Sequence, residues 1–205
     1  MVEILLILLV TQFLAIMSPG PDMFLILKNT LGQSGNGTAI FTILGIGLGL
    51  TVHISISIGG LAILLVQSEN LYRLLRYAGA AYLAYIGLKS LIRQSSFTQN
   101  SYNGGSGKSW RTAFVEGLFT NLLNPKVTLY IFSLFTQLIA PNLPLWQKVT
   151  YGLVLIAEAI MVWILFSLAV NLPNIRTRIE SFSVRIDRLF GLILICIAGT
   201  VFLNS

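Results

Sequence analysis

Six apolar segments take up most of this chain: Ile4 to Leu27, Thr38 to Val66, Leu71 to Ile92, Thr112 to Ala140, Val149 to Val170 and Leu189 to Leu203. A helix that spans a bilayer needs about 20 apolar residues, so six spans within 205 residues leave only short connections and no extramembrane catalytic domain. Composition excludes a soluble globule: 55% of residues are hydrophobic and 10% charged, with a mean hydropathy of +0.83, where soluble domains carry about 25% charged residues. The expected fold is an all-α integral membrane protein forming a single transmembrane domain over residues 1–205. Its halves run roughly over 1–95 and 109–205, joined by a Ser-, Asn- and Gly-rich loop at about 93–111. Met1-Val2-Glu3 lacks a basic n-region and the first apolar run continues past Pro21, so this segment reads as retained rather than as a cleaved signal peptide.

The formal charge of +6 and pI of about 9.7 would suit nucleic acid if the basic residues clustered. Placed along six spans, they mark topology instead. Lys28, Lys89, Arg93, Lys108, Arg111, Arg176, Arg178, Arg185 and Arg188 fall on one side, and only Arg73, Arg76 and Lys148 on the other. The positive-inside rule puts the first group in the cytoplasm and both termini outside it. No nucleic-acid partner is expected. Cys196 is the single cysteine and His53 the single histidine, which excludes a CxxC redox pair, an intrachain disulfide and a cysteine-based metal site and argues against zinc. Neither a metal nor a cofactor is expected. Gly104-Gly105-Ser106-Gly107-Lys108-Ser109 is not a phosphate loop, because that pattern needs glycine where Tyr102 stands and no buried strand precedes it.

The two halves repeat one another. Pro21-Asp22 in the first segment recurs as Pro125-Lys126 in the fourth, 104 residues on (21 to 125, 22 to 126). Arg76, Gly79 and Gly87 recur as Arg188, Gly191 and Gly199, 112 residues on (76 to 188, 79 to 191, 87 to 199). Three spans per half is an odd number, so the halves insert in opposite orientations. That is the plan of secondary transporters whose sites lie where Pro/Gly-interrupted helices meet.

Ser18-Pro19-Gly20-Pro21-Asp22 cannot continue an α-helix: two prolines lack donors, and Gly20 permits positive φ. Asn124-Pro125-Lys126 breaks the fourth segment more mildly. Freed backbone groups in hydrocarbon survive only against protein or a watery cavity, and an Asp or Lys at helix centre costs about 2.5 to 3.5 kcal/mol. Two readings of the pair stand. Asp22 and Lys126 neutralise each other as a buried ion pair, or they face a zwitterion, with Asp22 on its ammonium or on a proton and Lys126 on its carboxylate. Asn121 and Asn124 would add neutral hydrogen bonds, and Pro19, Gly20, Pro21 and Pro125 would expose backbone groups and act as hinges.

His53 shares a helix face with Gly45 and Gly49, at i, i+4 and i+8, which suits close helix packing. Gly79, Gly87, Gly191 and Gly199 are read as packing positions too, within the protomer or between protomers of a homo-oligomer. His53 and Glu158, both inside spans, are proton-relay candidates; a packing histidine is the plainer reading of the first.

Ser18-Pro19-Gly20-Pro21-Asp22, the Gly45/Gly49 helix, Arg76-Tyr77-Ala78-Gly79-Ala80-Ala81-Tyr82-Leu83 and Gly117-Leu118-Phe119-Thr120-Asn121-Leu122-Leu123-Asn124-Pro125-Lys126 together resemble the LysE/RhtB family of bacterial amino-acid exporters. The resemblance runs over essentially the whole chain. It implies a secondary transporter of the bacterial inner membrane that moves amino acids or close derivatives out of the cytoplasm on the proton or membrane potential. The motif residues it carries over are Pro19, Gly20, Pro21, Asp22, Asn124, Pro125 and Lys126. The alternative from the residues alone is an exporter of inorganic cations or another small solute, with Asp22, Glu158 and His53 as ligands. A membrane enzyme would need a nucleophile and base that the spans do not offer.

Overall fold

The computed structural model describes residues 2–31, 35–67, 69–92, 109–140, 142–172, 185, 188–189 and 191–199. Among them every regular element is helical: α1 (Val2–Met17), α2 (Pro21–Leu31), α3 (Gly35–Gln67), α4 (Glu69–Ile92), α5 (Trp110–Leu122), α6 (Pro125–Leu138), α7 (Leu145–Val170) and a final stretch, α8 (191–199). Two helices among the described residues are long and apolar enough to cross a membrane, within Gly37–Gly60 and Leu145–Val170, and the bent pair α1–α2 makes a third. The loop expected at about 93–111 ends at Ser109, whose hydroxyl accepts from Thr112 N and caps α5; residues 93–108 lie outside the described residues.

Both helix breaks follow from proline chemistry. In an α-helix each N–H bonds the carbonyl four residues back. Pro19 has no N–H for the Ala15 carbonyl, and Pro21 none for that of Met17. The chain therefore unwinds over residues 18–20 and restarts with Pro21 in the first turn, where proline is favoured. The axis turns by 60°. In the second half Asn124 is the N-cap of α6, its Oδ1 accepting from Lys126 N at 3.1 Å, with Pro125 at the first helical position. At 13 and 14 residues, α5 and α6 are each about 20 Å long, short of the roughly 30 Å hydrocarbon core.

Close packing is concentrated where α3 meets α5. A Cβ on Gly45 would collide with the Phe114 carbonyl, and one on Gly117 with the Thr42 carbonyl, so the backbones touch in both directions. One turn on, a Cβ on Gly49 would stand 2.7 Å from Asn121 Oδ1. Small residues replace the missing hydrophobic drive between helices in lipid, because they allow this approach. Gly79 faces Ser133 and Thr136 of α6, and Gly87 faces the Gly191 carbonyl and Ile195 of α8. At Gly199 no described atom lies within 4 Å of the Cβ position, so the packing expected there finds no counterpart among the described residues.

Hydrogen bonds tie α2 into the bundle: Asn29 Nδ2 donates to Thr42 Oγ1 at 2.7 Å, and the Thr30 and Ser167 hydroxyls meet at 2.9 Å. Large apolar side chains such as Leu6, Ile56, Leu153 and Leu165 point outward, as lipid contact requires. Lys148, expected next to the fifth segment, lies in the first turn of α7 with 4% of its surface exposed. The helix begins at Leu145, just after Pro144, and takes the lysine with it.

Candidate substrate site

Asp22 lies in the first turn of α2, where the free N–H groups of a helix start favour negative charge. It is 7% exposed, and its Oδ2 accepts from Asn121 Nδ2 of α5 at 2.8 Å. The Asn124 side chain lies beside the same carboxylate. The Asn121 carbonyl, near the end of α5, accepts from Asn124 N at 3.0 Å and from His53 Nε2 at 3.2 Å. His53, Asn121 and Asp22 thus form one chain of contacts from α3 through α5 to α2. The close seam at Gly49 sets its geometry.

Lys126 reaches the other way. Its ammonium donates to Ser18 Oγ at 2.7 Å, to the Ser18 carbonyl at 3.0 Å and to the Ala15 carbonyl at 3.3 Å. The hydrogen bonds of the two charges run apart, Asp22 toward α5 and Lys126 onto the end of α1. Gly20 stands between: a Cβ there would touch Lys126 at 3.9 Å, an ordinary contact. Its φ is not in the left-handed region, so the positive φ that glycine would permit is not used here.

These residues line one partly open cavity, and the space among them, its open mouth included, is about 530 Å³. Asp22, Asn121, Asn124, Lys126 and Gly20 are all in its wall, together with Ser18, Gln12, Tyr130 and Trp163, which sequence reasoning passed over. Met23, Ile46, Leu50, Val127 and Ile131 supply apolar surface. Pro19 is buried within the first break, while Pro21 and Pro125 are exposed. Tyr82 of α4 donates its hydroxyl to the Pro125 carbonyl at 3.3 Å.

Glu158 is not in the cavity wall, but its neighbour Ala159 is. It is 9% exposed and lies near enough to the Tyr130 phenol of α6 to interact with it electrostatically, and the Thr11 side chain of α1 lies beside the same phenol. Three buried acceptor oxygens of the cavity wall, Asp22 Oδ1, Asn121 Oδ1 and Gln12 Oε1, have no hydrogen-bond partner among the described residues; Glu158 Oε2, outside the wall, is a further one. A buried acceptor left unmatched costs about 1–3 kcal/mol, so these atoms are where a hydrogen-bond donor, from water or from a solute, would be held. Among the described residues no three His, Cys, Asp or Glu side chains are grouped to hold a metal ion.

The polar members Gln12 and Ser18 were legible in principle, as hydrophilic residues in an apolar run just before the break. Tyr130 and Trp163 carried no such signal.

The LysE type translocator family profile matches residues 13–205. The chain is similar to the uncharacterized membrane protein YahN of Escherichia coli (strain K12), at 29% identity over 78% of this chain and 71% of that one. It is similar to the membrane protein YrhP of Bacillus subtilis (strain 168), at 32% over 72% of this chain and 73% of that one. The threonine efflux protein of Escherichia coli (strain K12) is 26% identical over 93% of each chain. No solved structure matches. With a family profile covering nearly its whole length, on apolar helices broken around a polar cavity, this chain belongs to the LysE-type translocators and is a multi-pass membrane transporter rather than an enzyme.

Proposed function

We propose that the protein exports a small amino acid from the cytoplasm by alternating access around this cavity, coupled to the proton motive force. The observation that carries the reading is the placement of Asp22 and Lys126: two opposite charges, one from each helix break, in the wall of a single cavity. An amino acid is a zwitterion. Its ammonium fits the unmatched Asp22 Oδ1 and Asn121 Oδ1, and its carboxylate fits Lys126 with Asn124 beside it. The apolar wall suits a short neutral side chain, and similarity to threonine efflux proteins makes L-threonine the first substrate to try.

The architecture behind this function is six spans in two inverted repeats, α1–α4 and α5–α8, with the first and fourth spans broken. Reciprocal packing supports it: α1 lies on α7 as α5 lies on α3, α2 on α7 as α6 on α3, and α2 meets α5 as α6 meets α1. Both termini face away from the cytoplasm, and the membrane is the bacterial inner membrane. His53, bonded into the Asp22–Asn121 chain, and Glu158, behind Tyr130, are the groups that would carry the proton. Pro19, Gly20, Pro21 and Pro125 act as hinges.

The test is efflux of preloaded radiolabelled amino acids from cells carrying the wild type or Asp22→Asn, with and without a protonophore. Selective efflux lost with either treatment is the expected result. Efflux of no amino acid above background, from protein present in the membrane, would overturn the reading and favour an inorganic cation.

A further inference from the structure

The Ala15 carbonyl is orphaned by Pro19, the residue that should have supplied its N–H. The Ser18 carbonyl lies in the unwound stretch, beyond the end of α1. Lys126 donates to both carbonyls, 111 and 108 residues away in sequence, and its shortest bond, at 2.7 Å, is to the Ser18 hydroxyl. Of these three acceptors only Ser18 Oγ belongs to a side chain. Ser18 is itself 4% exposed.

An ammonium can donate three hydrogen bonds, and three acceptors at the end of α1 lie within reach of this one. A carboxylate entering the cavity must therefore compete with α1 for this amine. When it wins, the last carbonyls of α1 lose their cation, which is also the charge that favours a helix C-terminus. From this we infer that Ser18 is a positioning residue: it parks the Lys126 ammonium on the end of α1, and a substrate carboxylate draws the ammonium off, uncapping the α1–α2 break at the moment of loading. The inference rests on Lys126 as the carboxylate contact proposed above. It links occupancy of the cavity to the hinge through one hydrogen bond, and assigns Ser18 a part that the break motif alone did not.

Ser18→Ala removes the shortest of the three bonds and leaves both backbone acceptors and both prolines in place. Ser18→Thr keeps the hydroxyl. Two readouts separate the parking from its use. The first needs no substrate: reductive methylation of the purified protein, with Lys126 followed by peptide mass spectrometry. A hydrogen bond to a charged group shifts such an equilibrium by about tenfold, so Lys126 in Ser18→Ala should be methylated about tenfold faster than in wild type, and Ser18→Thr should behave as wild type. The second is L-threonine efflux, where the half-saturating concentration should fall by a similar factor in Ser18→Ala, since the carboxylate meets a weaker competitor. A serine that merely holds the fold would lower the rate and leave half-saturation unchanged or higher.

Equal methylation in all three proteins overturns the parking. Faster methylation with no fall in half-saturation overturns the competition. If wild type exports no amino acid, the functional reading fails, and methylation still decides whether Ser18 parks the amine. Should Ser18→Ala fail to reach the membrane, Ser18→Cys, whose thiol is a weak acceptor, is expected to shift both readouts in the same direction, and no shift there overturns the inference.

Discussion

Gly49→Ala is a substitution of one methyl group whose effect should reach the Asp22 carboxylate. The added Cβ would stand 2.7, 2.9 and 3.1 Å from Oδ1, Cβ and Cγ of Asn121. Non-bonded heavy atoms prefer about 3.5–4.0 Å, so α5 or the Asn121 side chain must retreat by roughly 0.5–1 Å. Asn121 holds Asp22 at 2.8 Å, and a retreat of that size carries the bond to the edge of hydrogen-bond range. Losing a hydrogen bond to a charged group costs about 1.5–3 kcal/mol, and overpacking about 1–3 kcal/mol. A total of about 2.5–6 kcal/mol should lower the unfolding temperature in detergent by roughly 5–25 °C, using about 2–4 °C per kcal/mol for a chain of this size. Gly59→Ala is the control, because no described atom lies within 4 Å of its Cβ position; alanine there should leave stability unchanged or raise it by up to about 1 kcal/mol. Efflux per unit of membrane protein should fall at least tenfold for Gly49→Ala and stay near wild type for Gly59→Ala. If the two variants match in both unfolding temperature and efflux, the argument that this seam positions the carboxylate is refuted.

Other expected outcomes follow from the same geometry. Lys126→Met strands the Ala15 and Ser18 carbonyls and should destabilise the protein by about 2–4 kcal/mol in thermal unfolding, whereas Lys126→Arg, which keeps donors and charge, should lose less than half of that. His53→Phe removes the donor to the Asn121 carbonyl and should lower stability by about 1–3 kcal/mol; an unfolding curve that superimposes on wild type would deny that bond any weight. Glu158→Gln should leave substrate half-saturation near wild type while making efflux insensitive to a protonophore, and loss of substrate affinity with coupling intact would place Glu158 in the binding site instead.

The helix breaks were legible because their cause is local: Pro19, Pro21 and Pro125 remove specific N–H groups whatever the rest of the chain does. The same holds for Gly45 and Gly49, whose spacing puts them on one face, whereas the N-cap role of Asn124 was not read from the sequence. What the sequence could not show is who fills a vacancy made by a proline. Lys126 looked like a free ligand for a carboxylate, and its contacts with Ala15 and Ser18 are made across more than half the chain. Tyr130 and Trp163 were hidden for the opposite reason, since an aromatic ring in an apolar span is indistinguishable from lipid-facing filler until its neighbours are known.

The capping of α1 by a residue of the fourth segment bears on how the chain is made. Synthesis delivers the first helix to the membrane long before residue 126 exists, so for that interval the carbonyls at its broken end have no cation to complete them. The first break must wait in a provisional, water-facing or translocase-held state and settle only when Asn124-Pro125-Lys126 arrives. A stalled or truncated product ending before Lys126 would therefore carry an uncapped kink inside the membrane, a defect that a membrane protease or insertase could detect without reading any other part of the fold.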